Sequence, residues 1–433
     1  MILLQVRASI ADLPFVVDYD SMTQLSDDEL ARRIALDFQK TRADILSQIE
    51  EFFPHVSEEQ LAAWEESRAL EWQWINDEKR YFNGAARNLF RIDRAAGALY
   101  TARYGEEKKA RNDFLNSYIP QLTAHTDSNA SLHHTVEFTL TVNANAVPHG
   151  EVIRCWLPFA RTDNPLQRDV TLLEASSHPT LSPDTPHSTV YMEQTALSDV
   201  PTQFSIKIAL TSLPKHNFLS ADSVQPYPVN CREVVDYCRE QPLHICFTDA
   251  IKALSAQIIG DETNPYLKAK RIFLWINDNI PWTLAREYST IASIPDYVLE
   301  NRHGDCGQVT LLFITLCRLN GIPARWQSGF MLYPDAENLH DWAEIFLQGP
   351  GWVTVDQSFG LLRRASAEAE RLFFLGSQDG FRWLVNSDIS APLFPRKIFP
   401  RSETVDFQRG EVEWRGGNLY FDKWTYQFTV NSN

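Results

Sequence analysis

Between residues 301 and 356 the chain carries a cysteine, a histidine and an aspartate in settings suited to nucleophilic catalysis. Cys306 follows Gly304 and Asp305 and opens a run (Val309, Leu312, Phe313, Leu316, Leu319) whose three- and four-residue steps predict a helix ending at Gly321. A thiol at a helix N-terminus meets unpaired N–H groups and the positive end of the macrodipole, which predicts a lowered thiol pKa and an available thiolate. Such a nucleophile needs an imidazole and a group to orient it. Residues 341–347 alternate as a strand, Gly349-Pro350-Gly351 turns the chain, and 352–356 returns, so His340 and Asp356 fall at the same end of one hairpin. In this reading His340 takes the thiol proton and later protonates the leaving group, while Asp356 holds the imidazole tautomer. The Cys306 N–H is the expected oxyanion donor, with Trp282, in Ile280-Pro281-Trp282-Thr283, and Gln308 as candidate side-chain donors.

The elements that must position these groups differ along the chain. From about residue 24 to 118 the pattern is helical. Ser26 and Glu29 have capping-box spacing, and Leu30, Ile34, Phe38, Ile45, Ile49 and Phe52 predict one amphipathic helix ending before Pro54. A second box, Ser57 to Gln60, opens a predicted helix carrying Trp64, Trp72 and Ile75, and helical stretches continue through Leu89, Phe90, Tyr100 and Phe114. The aromatic stripe reads as core, and its richness suggests that these helices cap the cleft. Near residue 130 the period changes to two: Thr135–Val142, Val152–Leu157 and Phe204–Leu210 read as strands of a small antiparallel domain. Helical patterning returns at 247–280, and beyond 400 the strands Glu411–Arg415, Leu419–Phe421 and Trp424–Val430 close the chain.

Composition narrows the function classes. At 433 residues, with 44% apolar and 12% aromatic residues, the chain has material for about three cores. A net charge of −16 argues against a nucleic-acid binder. No stretch reaches the roughly 18 apolar residues of a membrane span, and Met1 to Arg7 lack the basic and long apolar regions of a secretion leader. Six cysteines are too few for a disulfide scaffold. Cys317 shares the helix of Cys306 as a core residue, and Cys231, Cys238 and Cys246 with His244 lack a zinc spacing. His303 reads as a loop residue on the cleft rim. Neither a metal nor another cofactor is expected.

The segment resembles the transglutaminase-like superfamily, the papain-like Cys-His-Asp fold. The likeness rests on Gly304-Asp305-Cys306, Gly321-Ile322-Pro323-Ala324-Arg325, His340-Asp341-Trp342-Ala343-Glu344 and Gly351-Trp352-Val353-Thr354-Val355-Asp356, in order and closely spaced. The helix Lys268–Asn279 and the strands with Trp156-Leu157-Pro158 extend it over roughly 130–390. One departure is Asp341, where many relatives carry a small residue; it either alters the His340 environment or faces solvent. Patterning predicts an α+β chain with an N-terminal helical region (1–125) and a C-terminal β-extension (400–433) around an antiparallel β-sandwich-like domain (130–215), and the resemblance implies a transglutaminase-like core (225–395). It further implies an acyl-thioester at Cys306, resolved by water or by an amine, with a peptide or protein as substrate. The alternative is a catalytically silent binding or assembly module on the same fold. Relatives with this layout point to the bacterial periplasm or envelope, with the leader absent from this chain. Oligomeric state, substrate and acyl acceptor are open at this level.

Overall fold

Helix caps and turn residues set the N-terminal region. Where periodicity suggests one helix from Ser26 to Pro54, the computed structural model, which describes residues 25–124 and 131–433, has two: α1 (Asp27–Asp37) and α2 (Arg42–Glu50). The reading of Met1 to Arg7 lies outside the described residues. The break comes from a competing cap. Thr41 accepts the Asp44 N–H and gives its own N–H to the Asp44 carboxylate, so a new helix starts there. Ser57 caps α3 (Glu58–Glu66), but Trp72 and Ile75 leave the expected helix for a hairpin, β1 (Trp72–Ile75) and β2 (Glu78–Tyr81). Its two-residue turn, Asn76-Asp77, has φ of 49° and 64°, the left-handed pair that a type I′ hairpin turn demands. Helices α4 (Ala85–Ile92), α5 (Arg94–Tyr104) and α6 (Lys109–Ala124) follow.

Period-two alternation then builds two sheets. β3 (Leu132–Val142) turns Val136, Phe138, Leu140 and Val142 inward and pairs along its whole length with β8 (Thr202–Ser212). The other members are β4 (Val152–Pro158), β5 (Gln167–Ala175), β6 (Thr180–Leu181) and β7 (Thr189–Thr195). The C-terminal strands β13 (Glu411–Trp414), β14 (Gly417–Leu419) and β15 (Trp424–Ser432) complete both sheets, in the orders β14-β13-β4-β7-β6 and β15-β3-β8-β5.

Five helices lead into the segment of interest: α7 (Arg232–Tyr237), α8 (Asp249–Ile259), α9 (Pro265–Asn279), α10 (Ile294–Asn301) and α11 (Cys306–Leu319). α11 is apolar almost all round and correspondingly buried, with Leu311, Leu312, Phe313, Ile314, Leu316 and Cys317 excluded from solvent. It packs on the antiparallel sheet β11-β10-β9-β12, formed by β9 (Ala324–Met331), β10 (Asn338–Leu347), β11 (Gly351–Val355) and β12 (Arg382–Asn386), with the short α12 (Glu368–Arg371) before β12. One apolar core runs from Phe138 and Trp156 of the sandwich through Trp383 to Leu312. The N-terminal helices hold a second core around Phe38, Ile45, Trp64 and Leu89. It is joined to the rest at Leu284, whose backbone exchanges two hydrogen bonds of 2.8 Å with the Asn88 amide.

Candidate active site

The start of α11 is over-determined. The Asp305 carboxylate accepts the Gln308 N–H at 3.0 Å, and Gln308 Oε1 accepts the Asp305 N–H at 3.2 Å, a complete capping box. Tyr288 Oη donates to the same Asp305 carboxylate at 2.7 Å. Gly307 lets strand β10 approach: a Cβ there would strike the Tyr288 hydroxyl and lie 2.8 Å from Asp341 Oδ2. Cys306 itself is half-buried.

His340 sits within β10, buried, and its Nε2 is 2.6 Å from Asp356 Oδ2 just past the end of β11. Asp356 is held by two further donors, Arg382 Nη1 at 2.8 Å and the Phe359 N–H at 3.0 Å. Arg382 is in turn braced by Asp379 at 3.1 Å. Burial alone would raise the Asp356 carboxyl, but its pairing with His340 and Arg382 outweighs burial and holds the pKa down at about 2. Burial lowers the His340 pKa, helped by the Arg382 and Arg111 charges and opposed by Asp356. The imidazole therefore rests neutral between Asp356 and the Phe359 ring, stacked on it at 4.6 Å.

The thiol departs from expectation. Its hydrogen bond goes to Asp341 Oδ2 at 3.2 Å, inside a cavity of about 150 Å³ shared with Tyr288, Asp305 and Asp406. Burial first, then the Asp341 and Asp305 charges, push the Cys306 pKa well above its ordinary value, so the predicted lowering at the helix N-terminus is not what the surroundings produce. Two carboxylates beside the sulfur outweigh the partial charge of a helix end. Asp341, for which solvent exposure was one option, is buried and tied to Gln408 Nε2 at 2.8 Å. Burial and the neighbouring Asp406 and Asp305 charges raise its own pKa strongly. His303, expected on the rim, is also buried, with Nδ1 2.9 Å from Thr283 Oγ1.

Of the two side-chain oxyanion candidates, Trp282 lies beside Gly304 in a parallel bridge, with the Lys108 ammonium 3.4 Å from its ring centroid. Gln308 spends its carbonyl on the capping box and leaves Nε2 buried and unbonded. Several groups around the site escaped sequence reasoning. Gln357, next to Asp356, donates to Thr310 Oγ1, which bonds the Cys306 carbonyl at 2.7 Å; adjacency to Asp356 was its one available signal. Arg382 and Arg111 carry no such signal, since only folding brings them to the site. Among the described residues no group of three or more His, Cys, Asp or Glu side chains is arranged to hold a metal ion. No helix among them is long and apolar enough to cross a membrane.

Part of the chain is similar to known proteins. The family model described as "Transglutaminase-like superfamily" matches residues 252–357. An uncharacterized protein of Bacillus subtilis (strain 168), YebA, is 25% identical over 136 residues, 27% of this chain and 18% of that protein. An uncharacterized protein of Haemophilus influenzae is 29% identical over 157 residues, 29% of this chain and 40% of its own length. The chain thus spans less than half the length of either relative. Among solved structures, a protein from Cytophaga hutchinsonii provisionally named a cysteine protease aligns with a TM-score of 0.46 and 14% identity, over 70% of this chain and 90% of that one. The periplasmic domain of TgpA from Pseudomonas aeruginosa aligns with a TM-score of 0.30 and 15% identity, over 56% of this chain and 91% of that one. Cys306, His340 and Asp356 all lie within residues 252–357, the part of this chain that is similar to the transglutaminase-like superfamily.

Proposed function

We propose that the protein is a thiol acyl-transfer enzyme that cleaves an amide of a peptide or protein through Cys306, His340 and Asp356. The observation that supports it best is the His340–Asp356–Arg382 array: a neutral, buried imidazole whose Nε2 is committed to a carboxylate at 2.6 Å, leaving Nδ1 as its free nitrogen. In this reading the thiol proton passes from Cys306 to His340 as sulfur attacks the amide carbonyl carbon. The tetrahedral oxyanion is met by the Cys306 N–H at the helix start. Collapse breaks the C–N bond, the amine leaves with the proton from His340, and an acyl-thioester remains. Water or a second amine then attacks the thioester, giving its proton to His340, and sulfur departs to recover that proton.

The silent-module reading has one observation in its favour, the thiol bound to Asp341 with a raised pKa. The two separate on labelled peptides offered to the wild type and to Cys306→Ala, read by mass for addition of water or of an amine. Turnover lost in the variant supports the enzyme. Identical traces over a broad panel, with Cys306 alkylated by iodoacetamide no faster than the other thiols, would leave the binding module.

A further inference from the structure

The Phe359 ring that stacks on His340 is also the wall of a larger cavity of about 450 Å³, within the roughly 300–1,000 Å³ range of ligand pockets. Val309, on α11 below Cys306, and Trp282 line it from the core side. Its opposite wall is α6, which contributes Arg111 and Asn116. The expectation that the N-terminal helices cover the cleft thus acquires specific contacts.

Three arginines line this cavity, and two are neutralised: Arg363 by Asp278 at 3.3 Å, and Arg364 by Glu106 and Asp113, both at 2.8 Å. Arg111 differs. Among the described residues no carboxylate lies within ion-pair distance of it, its Nη2 reaches only the Asn112 side chain at 3.3 Å, and its Nε–H is buried and unbonded. Its guanidinium rests on the Phe359 face, 4.5 Å from the centroid. Of the two acidic groups acting on it, Tyr333 gives its hydroxyl to Asp379, and Asp356 is already engaged by His340 and Arg382. Arg111 is half-buried, and an anion that met its unbonded Nε–H would complete a guanidinium partly withdrawn from water. The cavity also holds two unbonded buried acceptors, Gln357 Oε1 and Asn116 Oδ1, with Gln357 only 4% exposed. The Lys108 amine lies over Trp282, its pKa brought down to about 7 by burial and by the Arg111 and Arg91 charges.

One donor with a full charge and two amide acceptors, in a half-apolar cavity flanking the imidazole, match a peptide that brings both N–H groups and a carboxylate. We propose that this cavity is the substrate subsite, that it takes a carboxylate-bearing peptide, and that Arg111 binds the carboxylate while Gln357 and Asn116 accept peptide N–H groups. The inference rests on the acyl-transfer reading for its placement along the reaction path. The carboxylate is either a side chain or a chain terminus, and the two are separable.

The test is calorimetric titration of the full chain carrying Cys306→Ala, so that binding is read without any thiol chemistry. Three probes suffice: acetyl-Ala-Ala-Glu-Ala-amide, acetyl-Ala-Ala-Gln-Ala with a free terminal carboxylate, and acetyl-Ala-Ala-Gln-Ala-amide. At least one acidic probe should bind about tenfold or more tightly than the neutral one, the scale of a hydrogen bond to a charged group. Adding Arg111→Gln should erase that preference, and Arg111→Lys should keep part of it. Equal affinities in the starting protein, undetectable binding of all three, or a preference that survives Arg111→Gln would each overturn the subsite. A chain that prefers acidic probes but shows no Cys306-dependent turnover keeps the subsite and loses the enzyme reading; the reverse result keeps the enzyme and loses the subsite.

Discussion

Cys306 and Asp341 are joined by a hydrogen bond of 3.2 Å from sulfur to Oδ2, so the thiol of the α11 N-terminus rests against a carboxyl group that strand β10 supplies one residue after His340. The bond needs Gly307, because any side chain at that position would occupy the space between helix and strand. The resting thiol is therefore protonated, and its surroundings oppose ionisation until the carboxyl changes state or the sulfur moves.

Asp341→Asn removes the acidic group nearest the sulfur while keeping the shape. The Cys306 pKa should fall, and alkylation by iodoacetamide at pH 7.5 should accelerate about tenfold, the equivalent of roughly one pKa unit. In the wild type the rate should still be rising with pH beyond 9, because burial and the Asp341 and Asp305 charges raise the pKa from its ordinary value. A plateau near neutral pH in the wild type would show that the helix end dominates after all.

Asp356 sets a pH window for stability. Its folded-state pKa, held at about 2, lies below the ordinary carboxylate value of 3.8, so its contribution is complete above that ordinary value and is lost as pH falls through the folded one. The contribution is about 2 kcal/mol. Urea unfolding of the wild type should weaken between about pH 4 and 2. Asp356→Asn should flatten that part of the curve and lower stability at neutral pH, since Arg382 loses one of its two carboxylates. An unchanged acid limb in the variant would refute the assignment.

Gly307→Ala probes the fit of helix to strand. The added methyl would meet the Tyr288 hydroxyl and Asp341 Oδ2, so the variant should lose about 1–3 kcal/mol, as overpacked sites do. Urea midpoints at constant m-value would measure it. A loss under 0.5 kcal/mol, about that of a surface substitution, would mean that Tyr288 moves aside freely.

The chemistry-bearing residues were the most legible part of the sequence. Gly304-Asp305-Cys306 ahead of an apolar run and the hairpin turn at Gly349-Pro350-Gly351 are local signals, and the helix start and the His340–Asp356 contact appear where they point. Less legible was the N-terminal region. Thr41 and Asp44 restart a helix that the apolar spacing alone would continue, and Asn76-Asp77 turns a hairpin where Trp72 and Ile75 fit helical periodicity equally well.

What the sequence determined by itself follows from short-range physics: the strands from about residue 130 through period-two alternation, the helix that opens at Cys306 through its apolar run, and the placing of His340 and Asp356 on one hairpin through its turn. Tertiary structure decided the electrostatics. The thiol pKa depends on burial, Asp341 and Asp305, the His340 pKa on burial, Asp356, Arg382 and Arg111, and the open charge of the large cavity on an arginine contributed by α6. Charge interactions depend on distance in space and on solvent exclusion, and neither is encoded in the spacing of residues along a chain.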